Sequence, residues 1–177
     1  MSDDLRQRYV IGLGANLGDR HATLSSAVRA LAEVGSVLAV SALYETQAVG
    51  PPQPDYLNAA VLLASGLLPH DVLGCLLTIE RAHGRERRQR WGPRTLDLDL
   101  LYGPGLSLDD PTLTVPHPEL PHRPFALAPL VDVLPDARDV HSGARYAELL
   151  AALGTTSIRR LGSTVAWPPP HASGRAE

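Results

Sequence analysis

The chain presents its ordered segments as strand, helix, strand, strand, helix, strand, and this order restricts the sheet it can build more than any single motif does. Residues 9–13 form a short apolar run, and residues 19–33 follow as a helix with Asp19 placed to cap the first turn. Residues 37–45 and 56–64 have strand character on either side of a loop stiffened by Pro51, Pro52 and Pro54. In residues 69–82, Val72, Leu73, Leu76 and Ile79 recur at helical spacing behind Pro69, a first-turn proline. In residues 95–102, Leu96, Leu98, Leu100 and Tyr102 alternate with Thr95, Asp97, Asp99 and Leu101, the period-two pattern of a half-buried strand. This βαββαβ order predicts an α+β fold: a ferredoxin-like, mainly antiparallel sheet flanked by helices in a three-layer αβα arrangement.

The same order argues against a dinucleotide fold. Gly12-Leu13-Gly14-Ala15-Asn16-Leu17-Gly18 follows a strand and opens a helix, as the G-x-G-x-x-G fingerprint does, but its spacing is one residue too long. A Rossmann unit also alternates strand and helix with parallel pairing. The glycines are therefore expected to make a tight turn over residues 14–18. Beyond Gly103, prolines at 111, 116, 118, 121 and 124 predict an extended, stiff loop, with short helices over 125–133 and 146–153. At 177 residues the chain fits one domain, assigned to 1–161, and the proline-rich tail 162–177 is expected to be disordered, with no role for Trp167.

Chemistry concentrates at residues 81–103. Asp97 and Asp99 lie two apart on a strand and so share one face, roughly 6.5–7 Å apart at Cα, close enough to serve one cation or a pair of them. Like charges that close repel unless a cation sits between them, which is a physical reason to expect a metal. Just upstream, Arg81, Arg85, Arg87, Arg88, Arg90 and Arg94 fall within fourteen residues, broken by Gly84 and followed by Trp91, Gly92 and Pro93: a helix end running into a loop. All sixteen basic residues of the chain are arginine, which excludes a lysine-dependent phosphate loop and Schiff-base chemistry. A phosphate must then be held by guanidinium forks, metal or backbone. Each feature alone fits a solvated face; together they point to a magnesium-bound polyphosphate.

A formal charge of −3 argues against general binding to nucleic acid or anionic membrane, because the positive charge is local. The single cysteine, Cys75, lies in an apolar stretch and is expected to pack rather than react, in keeping with a reducing cytoplasm. The N-terminus does not have the pattern of a signal peptide, and no apolar run has the length of a membrane span. Aromatic residues make up only 5% of the chain, so the placing of Phe125 after His117 to Pro124, and of Tyr56 beside Asn58, matters: two rings and an amide can grip a flat polar heterocycle. His117 and His122 lack the thiolate partners of a zinc site, and His117 suits a place near phosphate better. A ferredoxin-like sheet can also stack RNA bases, but among the strands only Tyr56 and Tyr102 are candidates for that.

Three segments resemble the 6-hydroxymethyl-7,8-dihydropterin pyrophosphokinase family of the folate pathway: PDYLNAAV at 54–61, RWGPRTLDLDLLYG at 90–103 and LTVPHPELPHRPFALAPL at 113–130. With GLGANLGD at 12–19 the resemblance spans residues 9–134. It implies transfer of the β,γ-pyrophosphoryl group of ATP to the hydroxymethyl oxygen of the dihydropterin, releasing AMP, with two Mg2+ ions as cofactors. A homologue that only binds ATP is the remaining alternative. In the family pattern Asp97 and Asp99 are the metal ligands and, with Arg85 and Arg94, the catalytic group. Glu80, Arg87, Leu100, Thr114, His117 and Arg123 match positions lining the ATP site. Thr46, Gln47, Val49, Tyr56, Asn58, Trp91 and Phe125 match substrate-binding positions, Tyr56 and Phe125 as the pair that sandwiches the pterin and Trp91 as part of a closing lid. Leu77, Pro118 and Gln47 depart from the pattern, where a glutamine, an aromatic and a proline are usual. The expected partners are small molecules only, with no nucleic acid and no membrane, on a monomer.

Overall fold

The computed structural model describes residues 6–84, 95–162 and 167–168. Its elements are β1 (Gln7–Ala15), α1 (Arg20–Leu31), β2 (Ser36–Val40), β3 (Tyr44–Thr46), β4 (Tyr56–Ser65), α2 (Pro69–Ala82), β5 (Asp97–Tyr102), β6 (Leu108–Asp109), β7 (Thr114–Val115), α3 (Pro124–Val133), α4 (Tyr146–Leu153) and β8 (Ile158–Arg160). The main sheet runs β5-β1-β4-β3-β8, with β2 also paired to β4, and every pairing is antiparallel. β6 and β7 form a separate ribbon.

Strand alternation sorts the side chains into two layers. On one face Tyr9, Ile11 and Leu13 of β1, Leu57 to Leu63 at alternate positions of β4, and Leu98 and Leu100 of β5 pack against Leu24, Val28 and Leu31 of α1 and Val72, Leu76 and Ile79 of α2. On the other, Val10, Ala60, Leu62 and Leu101 meet Leu127, Leu130 and Val133 of α3 and Tyr146 of α4. Each fully buried aliphatic side chain contributes about 1.5–3 kcal/mol, so both layers are driven by the same force. β4 is buried along nearly its whole length because it lies between both helical layers, which explains its unbroken apolar run. The expected three-layer, ferredoxin-like arrangement is present.

The sequence reading differs from the structure at several places, among them the β6–β7 ribbon within the segment expected to be an extended loop. The strand expected over 37–45 is two strands, β2 and β3, each pairing with β4. At the break the Ser41 N–H donates to Ala60 O (2.9 Å) and the Ser41 hydroxyl accepts the Ala60 N–H (2.8 Å), so a side chain replaces the next rung of the ladder. The glycine run is not a turn from residue 14: β1 continues through Ala15, and Gly18, at φ 63°, makes the turn before Asp19 caps α1 by accepting the Ala22 N–H (3.0 Å). β8 was not expected and pairs with β3. Trp167 is half-buried against the α1/α2 layer, donates its indole N–H to Ser41 O (2.7 Å) and meets His21 edge-on at 5.8 Å.

Candidate active site

Register places the chemistry in rows across one face of the sheet. Asp97 on β5 pairs with Gly14 on β1, Gly14 with Asn58 on β4, and Asn58 with Tyr44 on β3. The next row is Asp99, Gly12 and Ala60. With strands about 4.8 Å apart, Asp97 and Asn58 sit about 10 Å from each other with Gly14 between them. A Cβ at Gly14 would come within 3.1 Å of Asn58 Oδ1 and 3.7 Å of the Tyr56 ring, and one at Gly12 within 2.9 Å of Leu101. The glycines therefore keep a bare floor between the acidic end and the amide end. α3 and α4 cover the part of this face that carries Val10, Leu62 and Leu101.

At the acidic end Asp97 and Asp99 are half-exposed while Leu98 and Leu100 face the core. Glu80, at 2% exposure, is on α2, and its Oε1 accepts the Leu98 N–H at 2.8 Å. The sequence reading assigned Glu80 and Leu100 to the lining of a nucleotide site. Glu80 instead braces the peptide that joins Asp97 to Leu98, and the Leu100 side chain packs in the core, so a ligand on the opposite face would meet Leu100 through its backbone. No cluster of three or more histidine, cysteine, aspartate or glutamate side chains occurs among the described residues. A pair of carboxylates fits Mg2+, which keeps several waters and completes its octahedron with substrate phosphate oxygens. It does not fit a structural zinc.

Beside this end the proline-rich segment is pinned to β5 by the His117 N–H donating to Leu101 O at 2.8 Å. His117 Nδ1 accepts the Glu119 N–H (3.2 Å), which leaves its ring proton on Nε2. Burial pushes the His117 imidazole below its ordinary value and the Arg123 charge adds to this, with Glu119 and Asp97 acting in the opposite sense. The ring is therefore neutral at pH 7 and a donor through Nε2. Arg123 precedes α3, and its guanidinium lies 5.9 Å from the centroid of the Phe125 ring. Thr114, on β7, donates to Asp109 at 3.4 Å.

The amide end holds Asn58 and Thr46, each 7% exposed, with Asn58 Nδ2 donating to Thr46 Oγ1 at 2.9 Å. That bond fixes which way the amide points. Tyr56 and Phe125 are both half-buried, the first opening β4 and the second in the first turn of α3. Gln47 is exposed and Val49 is 76% exposed, so neither side chain packs against this end. The loop that carries them is fastened by Asn16, 1% exposed, whose Nδ2 donates to Gln53 Oε1 (2.8 Å) and Pro54 O (3.1 Å). Sequence reasoning missed Asn16; the available signal was a polar residue inside a segment otherwise needed for backbone turns. Arg85, Arg87, Trp91 and Arg94 lie outside the described residues.

The family model described as 7,8-dihydro-6-hydroxymethylpterin-pyrophosphokinase (HPPK) matches residues 10–135. The 2-amino-4-hydroxy-6-hydroxymethyldihydropteridine pyrophosphokinase of Synechocystis is 42% identical over 151 residues, covering 84% of this chain and 77% of that protein. The enzyme of the same name from Pseudomonas aeruginosa is 43% identical over 159 residues, covering 88% and 97%. Among solved structures, an HPPK-DHPS in complex with substrates superposes with a TM-score of 0.68 at 13% identity, covering 88% of this chain and 46% of that one. A Plasmodium falciparum HPPK-DHPS triple mutant with pteroate gives 0.68 at 15% identity, covering 89% and 47%. At such identities the likeness is one of fold alone, and the chain spans just under half the length of those solved chains. Taken with the relatives that match nearly end to end, the chain belongs to the 7,8-dihydro-6-hydroxymethylpterin-pyrophosphokinase family.

Proposed function

We propose that this chain transfers pyrophosphate from ATP to 6-hydroxymethyl-7,8-dihydropterin, giving AMP and the dihydropterin diphosphate in folate biosynthesis. The observation that carries the reading is the row Asp97, Gly14, Asn58 across one face of the sheet. A flat ring sandwiched by Tyr56 and Phe125, with its edge on Asn58 and Thr46, directs a short substituent over Gly14 toward the carboxylates. The hydroxymethyl oxygen forms a bond to the β-phosphorus, the bridge from the β-phosphorus to the α-phosphate oxygen breaks, AMP leaves with that electron pair, and the alcohol proton is released. Asp97 and Asp99 would hold two Mg2+ ions, which supply neutralisation of the phosphate charge. In this scheme Arg85, Arg87 and Arg94 add guanidinium forks, and Trp91 belongs to the closing lid. His117, Thr114 and Arg123 border the nucleotide, with the neutral His117 Nε2–H available to a phosphate or sugar oxygen.

Localisation in the cytoplasm, a monomeric state and small-molecule partners complete the proposal. No helix among the described residues is long and apolar enough to cross a membrane. The RNA-binding alternative is disfavoured because Tyr102 is 6% exposed and packs edge-on against Tyr146 at 5.4 Å, so it is not available to stack on a base. The test is product identity. Incubation with ATP, Mg2+ and the dihydropterin should yield AMP in proportion to dihydropterin consumed; ADP instead, or no nucleotide conversion, would overturn the assignment.

A further inference from the structure

The ring-binding end is built from two separate bodies: α3 carries Phe125, while β3 and β4 carry Thr46, Tyr56 and Asn58. The distance between them decides whether a flat ring is gripped. Apolar packing of Leu127, Leu130 and Val133 on the sheet is strong but non-directional, so it does not by itself fix where α3 lies along the strands. A directed connection does exist. Asp132, near the end of α3, accepts the Tyr44 hydroxyl proton at 2.8 Å and the Ala42 N–H at 3.1 Å, both through Oδ2. Arg160 on β8 reaches the same group, with Nη1 3.5 Å from Asp132 Oδ1 and 3.4 Å from the Tyr44 oxygen.

Tyr44 is 5% exposed and is the register partner of Asn58; two residues along the same face is Thr46, which holds the Asn58 amide. Asp132 and Phe125 are seven residues apart on one helix, about 10 Å along its axis, so the helix links them, with Pro129 between them omitting the one backbone bond that would run to the Phe125 carbonyl. Burial, then the bond to Asp132, pushes the Tyr44 phenol up to about 12, which keeps its proton in place to donate.

We propose that Asp132 and Tyr44 form a clamp between α3 and β3 that sets the aperture between Phe125 and the Tyr56/Asn58 side, and so governs affinity for the heterocycle without touching it. Both are positioning residues. The inference rests on the dihydropterin reading of this end of the cleft. It predicts a separation between substrates: the clamp bears on the ring and not on the phosphates, which sit at Asp97 and Asp99, three strands away from β3.

The test compares Tyr44→Phe, Asp132→Ala and Asp132→Asn in the full chain, measuring KM for each substrate, kcat, the thermal midpoint, and the Kd for 6-hydroxymethylpterin by fluorescence, which needs no turnover. Tyr44→Phe should raise the pterin Kd and the dihydropterin KM about fivefold to tenfold, part of the full effect of losing a hydrogen bond to a charged group because the bond acts on the ring only through the position of α3. The KM for ATP and kcat should stay within about twofold of wild type on the same argument. Asp132→Ala removes both acceptor contacts and should be the more severe; Asp132→Asn keeps an acceptor oxygen and should recover most of the affinity. Pterin affinity unchanged in Tyr44→Phe and Asp132→Ala, or both substrate constants rising in step with a lowered thermal midpoint, would overturn the clamp while leaving the reaction assignment standing. Failure of the wild-type chain to bind the pterin at all would overturn both.

Discussion

Glu80 is an acid at 2% exposure whose oxygen accepts the N–H of the Asp97–Leu98 peptide, the first of the two that join Asp97 to Asp99. A buried carboxylate is costly unless its charge is met by hydrogen bonds, so its use here points to a need for rigidity under the paired aspartates. Glu80→Ala leaves the Leu98 N–H without that acceptor and is expected to lower the unfolding free energy by about 1–3 kcal/mol, read from urea denaturation; Glu80→Gln, which keeps an acceptor, should lose less. His117 makes a second residue-scale prediction. Its folded-state value lies below the ordinary 6.5, because burial disfavours the imidazolium. The unfolded chain therefore binds the proton first as pH drops, so the contribution of His117 to stability is complete above 6.5 and is lost as pH falls from there through the folded value. Denaturation midpoints at pH 7.5 and 5.5 should differ less in His117→Gln than in wild type; equal slopes would contradict this.

At the scale of elements, the strands were legible where alternation or an unbroken apolar run was strong. β5 announced itself by Leu96, Leu98 and Leu100 against Asp97 and Asp99, and β4 by nearly continuous burial. The break between β2 and β3 was not legible, because it depends on the Ser41 hydroxyl accepting from Ala60, a residue on another strand. Gly14 was misplaced for a related reason: glycine is usual in turns, and only the register shows that it sits between Asp97 and Asn58. β8 is three residues long and mostly exposed, so it carries no periodic signal. Trp167 was assigned no role because a proline-rich tail gives no hint of a contact 126 residues back along the chain. Its packing makes a prediction. Trp167→Ala, or truncation after residue 162, should cost about 2 kcal/mol of stability, less than a fully buried tryptophan because the ring is only half-buried. A truncated chain with an unchanged denaturation midpoint would support the expected domain limit at residue 161.

For the molecule as a whole, the sheet divides the work between its faces. One is given wholly to the core shared with α1 and α2; the other is covered by α3 and α4 at one end and carries Asp97, Asp99, Asn58 and Thr46 toward the other. The candidate site was partly legible in the sequence because Asp97 and Asp99 are neighbours on one strand. Its second half was reachable only through the family resemblance, since Tyr56, Asn58 and Phe125 come together through register and helix docking. The central claim is that the acidic end serves the phosphates and the amide end serves the ring, independently. The most direct measurement is turnover and pterin affinity together in Asp97→Asn and Asp99→Asn. Turnover should fall about a thousandfold in each, as expected for losing charge stabilisation in the transition state, while the Kd for 6-hydroxymethylpterin stays within about twofold and the thermal midpoint does not drop. Near-normal AMP formation in either variant would contradict the account.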